Sequence, residues 1–247
     1  MKRMNWQIIL GISLVVLSVI LYSMHYFIFR DPHHIFIYML GDIAFIPIEV
    51  LMVTLIIHRL LLNREKKAML RKLNMVIGAF FSEVGLKLIL SFAKFDHKSD
   101  DIKKDLSQMK NWTDADFKKV SELIDNYKFH IDSSLGDLKG LRDFLSRRRN
   151  FLLRLIENPN LLEHEVFTEL LWAVFHLTEE LEYRSDLDRL PHSDLEHISG
   201  DIRRAYVLLL SRWIDYVRHL KYSYPYLYSL AVRTNPLDEK ASPIVGS

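Results

Sequence analysis

The chain has 247 residues, no cysteine, and a formal net charge of +2 from 33 basic and 31 acidic side chains. The missing cysteines exclude disulfides, thiolate chemistry and Cys-ligated zinc. The near-balanced charge, without a concentrated basic excess, argues against a nucleic-acid partner.

Charge is unevenly spread along the chain. Residues 1–62 carry Lys2, Arg3, Arg30 and Arg59 against Asp31, Asp42 and Glu49, and the other charged groups all follow. Ile8 to Phe29 contains no Asp, Glu, Lys or Arg, which is long enough to cross a hydrocarbon core of about 30 Å. It is too long for the apolar part of a cleaved signal peptide, and no small-residue cleavage site follows. An uncleaved anchor over about 8–29 is therefore expected. Arg30-Asp31-Pro32-His33-His34 reads as a polar turn, and a second span follows over about 35–60. Lys2 and Arg3 precede the first span, while Arg59, Arg64, Lys66, Lys67, Arg71 and Lys72 follow the second. The positive-inside rule then puts both termini in the cytoplasm of a multi-pass protein of the cell (inner) membrane.

The second span holds two acids, Asp42 and Glu49. Seven residues apart, they share one helix face but stand about 10.5 Å apart along the axis, too far for an acid/base dyad. Pro47 between them cannot donate to the Ile43 carbonyl, which predicts a kink and a free acceptor. Fourteen Leu, Ile, Val or Phe residues from Ile35 to Ile57 favour insertion by about 4–8 kcal/mol. Two central carboxylates oppose it by about 5–7 kcal/mol. The acids therefore need neutralisation or polar partners. In an antiparallel hairpin Tyr22 falls opposite Asp42, and Glu49 falls opposite Val15 with Ser13 and Ser18 a turn away. One reading places Asp42 and Glu49 around a pore or proton path of a homo-oligomer. The other makes Asp42 an interfacial cap and a protonated Glu49 an interhelical hydrogen-bonding group. His58, nine residues beyond Glu49, lies on the opposite face.

From Asn63 the second span is expected to run straight into a basic helix. Leu73, Val76, Ile77, Phe80, Phe81, Val84 and Leu88 follow helical spacing, either facing a bundle core or lying on anionic lipid. Glu83 and Lys87 form an expected i,i+4 pair. Thr113 to Asp116 resembles a capping box opening a helix to about Ile131. Leu138, Leu141, Phe144, Leu145, Leu152, Leu155 and Ile156 trace the next helix, which stops at 157-ENPN-160. Val166, Phe167, Leu170, Leu171, Val174, Phe175 and Leu181 trace another. Pro191 and a Ser193-to-Glu196 capping box open a long helix with Leu195, Ile198, Ile202, Tyr206, Leu209, Trp213, Tyr216 and Leu220 inside.

Residues 139–154 are basic (Lys139, Arg142, Arg147, Arg148, Arg149, Arg154), whereas 163–188 are acidic, with Arg184 their single base. Folded back on each other, the two helices place opposite charges side by side and suit both macrodipoles. Metal readings are weaker. One helix offers His176 with Glu179 or Glu180, another offers His197 with Asp194 or Asp201, and the Glu-x-x-His pairs of a di-iron bundle are missing. Gly-rich phosphate loops and hydrolase signatures are likewise missing. The tyrosine-rich 222-YSYPYLYSLAVRTNP-236 reads as a docking surface or as a cap on the bundle.

The runs 155-LIENPNLLEHEVFTELLWAVFHLTEEL-181 and 224-YPYLYSLAVRTNP-236 resemble those of an uncharacterised prokaryotic membrane protein family with this N-terminal hairpin. The resemblance implies the architecture and no activity. The expectation is thus an all-α protein: a transmembrane hairpin over 1–62, a cytoplasmic helical domain over 63–234 and a disordered tail over 235–247. Its expected role is a non-enzymatic interaction or signalling scaffold, homo-oligomeric, in contact with lipid and a cytoplasmic protein partner. Ion or proton conduction through Asp42 and Glu49 is the alternative. Neither catalytic residues nor a metal or other cofactor are expected. Arg64, Lys66, Lys67, Arg71 and Lys72 are the expected anionic-lipid contacts.

Overall fold

The computed structural model describes residues 6–107, 109–162, 165–238 and 240–244. Lys2, Arg3, Glu163 and the end of the expected tail lie outside it, as does the side chain of Lys67. The described residues are all-α, and the chain divides into two compact units, Met1–Lys66 and Lys67–Ser247.

In the first unit α1 spans Trp6–Phe29 and ends on Arg30, whose φ is 51° and whose N–H donates to the Tyr26 carbonyl at 2.8 Å. That left-handed residue satisfies an orphan carbonyl of the last turn. The next helix, α2, spans Pro32–Phe80. Asp31 Oδ1 accepts from the His33 and His34 amides at 3.0 and 3.2 Å, and proline at the first position is already set for the helix. The turn is consequently two residues, Arg30 and Asp31, and the helix starts before Ile35. The helix continues through Pro47. No described residue of this unit is buried, and both of its helices are long and apolar enough to cross a membrane.

The second unit begins with the last turns of α2, which bury Leu73, Ile77 and Phe80. A π-type turn over Phe81–Gly85 and then α3, Leu86–Ala93, continue the rod. Val84, Leu88, Ile89 and Phe92 are fully buried, so this segment packs in the bundle. The wider π turn shifts the register of the polar stripe. Glu83 therefore pairs with Arg148 at 3.1 Å, and Lys87 sits 4.5 Å above the Phe144 ring, in place of the expected Glu83–Lys87 pair.

The short α4, Ser99–Leu106, buries Ile102 and Leu106. The helix α5, Asp114–Asn126, opens with the expected capping box: Thr113 Oγ1 accepts from the Asp116 amide and Asp116 accepts from the Thr113 amide. It stops at Asn126 rather than near Ile131. Residues 127–132 run extended instead, with Ile131 bridged to Asp96 and the Asp132 amide donating to the Phe95 carbonyl at 2.8 Å. Phe129 points into the core, beside Tyr127 and Tyr206.

The helix α6, Leu138–Ile156, is capped by Asp137, which accepts from the Gly140 amide. After the single turn α7, Pro159–Leu162, comes α8, Glu165–Glu182, with every residue of its expected stripe buried except Val166, which is 40% exposed. The central helix α9, His192–Ser223, carries the largest fully buried side chains, Trp213 and Tyr206. Its expected capping box does not form. Pro191 provides the first carbonyl, accepting from the Asp194 and Leu195 amides, while the Asp194 carboxylate is engaged by Arg184. Both α5 and α8 pack on α9, and α6 packs on α8.

The last helix, α10, Pro225–Arg233, also packs on α9, and Tyr228 donates to the Met109 carbonyl. Packing continues beyond it: Asn235 is buried and donates to the Leu106 carbonyl at 2.7 Å, and Leu237 is buried after it. The core thus extends past the boundary expected at Asn235.

Gly136 shows how tightly the bundle is filled. A Cβ there would run into the ring of Phe95, which is 1% exposed and cannot swing aside. Gly136→Ala is expected to lower stability by about 1–3 kcal/mol. Gly200→Ala, with open space around it in α9, should be neutral or stabilising by up to about 1 kcal/mol. Chemical unfolding of the two variants checks the contrast.

Candidate functional site

In the first unit, Tyr22 and Asp42 line one groove of about 640 Å3 together with Ser18, His25, His34 and Tyr38. The His25 and His34 rings stack at 6.1 Å with an 8° interplanar angle, and the His34 ring lies 4.6 Å from that of Tyr38. His25 Nδ1 is buried with no hydrogen-bond partner among the described residues. Tyr22 and Asp42 thus share a groove, and no hydrogen bond joins them among the described residues. Glu49 is exposed, is not among the groove residues, and has no ion partner there either. Ser13, expected near Glu49, donates to the Leu10 carbonyl instead. The histidine pair escaped sequence reading because it forms across the turn.

Arg64 and Lys66 are exposed at the end of the first unit, and Arg71 and Lys72 at the start of the second. The basic and acidic runs do meet. Arg149 reaches Glu179 at 3.5 Å and Glu182 at 3.4 Å, and Lys139 binds Asp188. Pairs this exposed contribute about 0–1 kcal/mol each, so they help fix helix register more than they stabilise.

The second unit holds a tighter constellation where α8 faces α9. His176 and Glu180 lie one turn apart on α8, and His197 and Asp201 lie one turn apart on α9. His176 Nε2 is 3.5 Å and His197 Nε2 is 3.4 Å from Asp201 Oδ2, and His197 Nε2 is 3.5 Å from Glu180 Oε2. His176 Nε2 stands 3.9 Å from Glu180 Oε1. Asp201 is 4% exposed, and its Oδ2 has no hydrogen-bond partner among the described residues. One donor atom from each of His176, His197 and Asp201 lies within 4.8 Å of the others.

Arg184 organises the flank of this cluster. It binds Asp194 through two nitrogens at 2.6 and 2.7 Å and Glu180 Oε2 at 2.7 Å. These charge-assisted bonds hold the Asp194 and Glu180 carboxyls below the ordinary carboxylate range, and the Asp194 bonds lead in raising the guanidinium further. Each half of the constellation was visible as a helical i,i+4 pair. Their convergence was not, because it depends on how α8 and α9 are juxtaposed.

Two family descriptions match the chain. The N-terminal helical domain of MJ1433 matches residues 2–61, and the C-terminal helical domain of uncharacterized protein MJ1433 matches residues 69–233. The interval between them contains the boundary between the two compact units. The chain is 47% identical over 241 residues to "Uncharacterized protein MJ1433" of Methanocaldococcus jannaschii, covering 98% of this chain and 97% of that one. No solved structure matches the chain. By both measures, this chain belongs to the family of the uncharacterized protein MJ1433.

Proposed function

We propose that the protein is a membrane-anchored interaction scaffold. In this reading α1 and the apolar part of α2 cross the cell membrane as a hairpin with both chain ends in the cytoplasm. The helical bundle then engages a cytoplasmic protein partner, and Arg64, Lys66, Lys67, Arg71 and Lys72 contact anionic lipid headgroups. The carrying observation is a contrast in burial. The bundle buries most of its large apolar side chains, leaving scattered ones such as Met75 and Trp172 exposed, whereas the side chains from Trp6 to Leu62 remain largely uncovered. Apolar surface of that extent requires another medium, and length and composition match a bilayer.

The groove containing Asp42, Tyr22, His25 and His34 supports a second reading, a homo-oligomer conducting ions or protons. Intramembrane ionisable groups mark such pathways. The test that separates the two uses the full-length protein in liposomes. Absence of ion and proton flux, together with recovery of one cytoplasmic protein after cross-linking in intact cells, is the scaffold outcome. Flux abolished by Asp42→Asn is the conduction outcome and would replace the scaffold reading.

A further inference from the structure

We propose that His176, His197 and Asp201 bind one divalent transition-metal ion, with zinc(II) the ion they fit best. Three independent features of the bundle carry this, and none depends on the membrane reading.

Spacing is the first. A tetrahedral zinc ion with ligand bonds of about 2.0–2.1 Å separates its donor atoms by about 3.4 Å. Asp201 Oδ2 lies 3.5 and 3.4 Å from the two imidazole Nε2 atoms. The competing account makes the imidazoles protonated counter-ions of Asp201. Charge-assisted N–H···O bonds close to about 2.7–2.9 Å, and neither ring does so. Two of the three donor–donor edges thus have the length of a coordination polyhedron, and the third, between the imidazoles, lies within 4.8 Å.

Burial is the second. Asp201 is 4% exposed and its Oδ2 accepts no hydrogen bond among the described residues. A buried carboxylate oxygen that accepts no hydrogen bond is penalised, the nearest cationic groups stand no closer than 3.4 Å, and a cation between Oδ2 and the imidazoles removes that penalty. Arg204 Nη1 approaches the other oxygen, Oδ1, at 3.5 Å, which leaves Oδ2 for the ion.

The third feature is the outer shell. Glu180 stands beside both imidazoles yet is held by Arg184, itself clamped on Asp194. Its carboxylate faces the same Nε2 atoms that would bind the ion, 3.9 Å from His176 and 3.5 Å from His197, so it adds negative charge beside the ion. Three protein ligands leave a fourth position open. Beside it runs a groove lined by His197, Asp201, Arg203, Arg204 and Glu169, through which water or an anionic ligand reaches the ion. Imidazole and carboxylate donors without thiolate suit zinc, iron(II) or manganese(II) over copper(I).

The test uses full-length protein, purified without a histidine tag in detergent micelles, stripped with chelator and then dialysed against zinc(II) or cobalt(II). Elemental analysis should give one zinc per chain, and cobalt(II) should give the intense visible band of a tetrahedral site. His176→Ala, His197→Ala and Asp201→Asn should each abolish both signals while keeping the helical circular-dichroism spectrum. Glu180→Gln, which removes a negative charge beside the ion, should weaken zinc binding about tenfold or more, and His192→Ala, an exposed histidine on the same helix as His197, should leave it unchanged. Should Asp201→Asn fail to fold, the two histidine variants decide, because their side chains are half-exposed. Folded wild type that retains no zinc, or zinc retained equally by both histidine variants, overturns the proposal.

Discussion

Trp213→Ala should lower the stability of the bundle by about 3–5 kcal/mol, a fall in thermal midpoint on the order of 10 °C for a domain of this size. Trp213 is 2% exposed and lies where three elements meet. Its ring is 5.1 Å from that of Phe81 in the π turn and 6.0 Å from that of Tyr216 one turn along α9. Phe80, next to Phe81, lies edge-on to Phe167 of α8 at 5.4 Å. Removing the indole opens a cavity that rigid neighbours cannot fill. Trp213→Phe should cost far less, because its loss of packing is partly offset. The indole Nε1 is buried with no hydrogen-bond partner among the described residues, and an unsatisfied donor costs about 1–3 kcal/mol. Urea unfolding of the two variants separates these effects. A Trp213→Phe loss as large as that of Trp213→Ala would show that the N–H is satisfied in solution.

The same region shows what the sequence could and could not reveal. The apolar stripe from Leu73 to Leu88 was legible because helical spacing survives in the order of the residues. The π turn within it was not, since its wider ring answers the packing of Phe81 against Trp213 and Tyr216 on a helix more than a hundred residues away. Likewise the capping box at Thr113 could be read locally, whereas the end of α5 at Asn126 depends on Phe95 and Asp96 arriving to pair with residues 127–132. At Pro191 a local pattern misled: Ser193 and Glu196 have the capping spacing, but Pro191 supplies the first carbonyl and Arg184 claims Asp194 from outside the helix. The candidate metal cluster follows the same logic. His176 with Glu180 and His197 with Asp201 are each one-turn neighbours, ordinary when seen singly, and only the packing of α8 on α9 aims all four groups at one point.

On the membrane-anchored reading, full-length protein should sediment with membranes and need detergent, and deleting residues 1–66 should leave a protein that stays dissolved in buffer. The bundle's far-UV circular dichroism and cooperative unfolding should be retained. Among the described residues no core residue lies before Leu73, so the deletion removes none of the bundle packing described above. What it removes are the exposed apolar side chains of α1 and the first part of α2, among them Phe27 at 76% and Leu40 at 69% exposure. Soluble monomers rarely expose contiguous apolar patches beyond a few hundred Å2, and two helices of this kind far exceed that. The basic residues Arg71 and Lys72 stay with the truncated chain, and each contributes about 1 kcal/mol of attraction to an anionic surface. Weak binding of the truncated protein to phosphatidylserine vesicles, lost at high salt, is therefore expected. Binding to uncharged phosphatidylcholine vesicles is not. Salt-resistant membrane binding by the truncated protein would place a further apolar anchor in the bundle, and full-length protein soluble without detergent would mean that the hairpin meets protein rather than lipid.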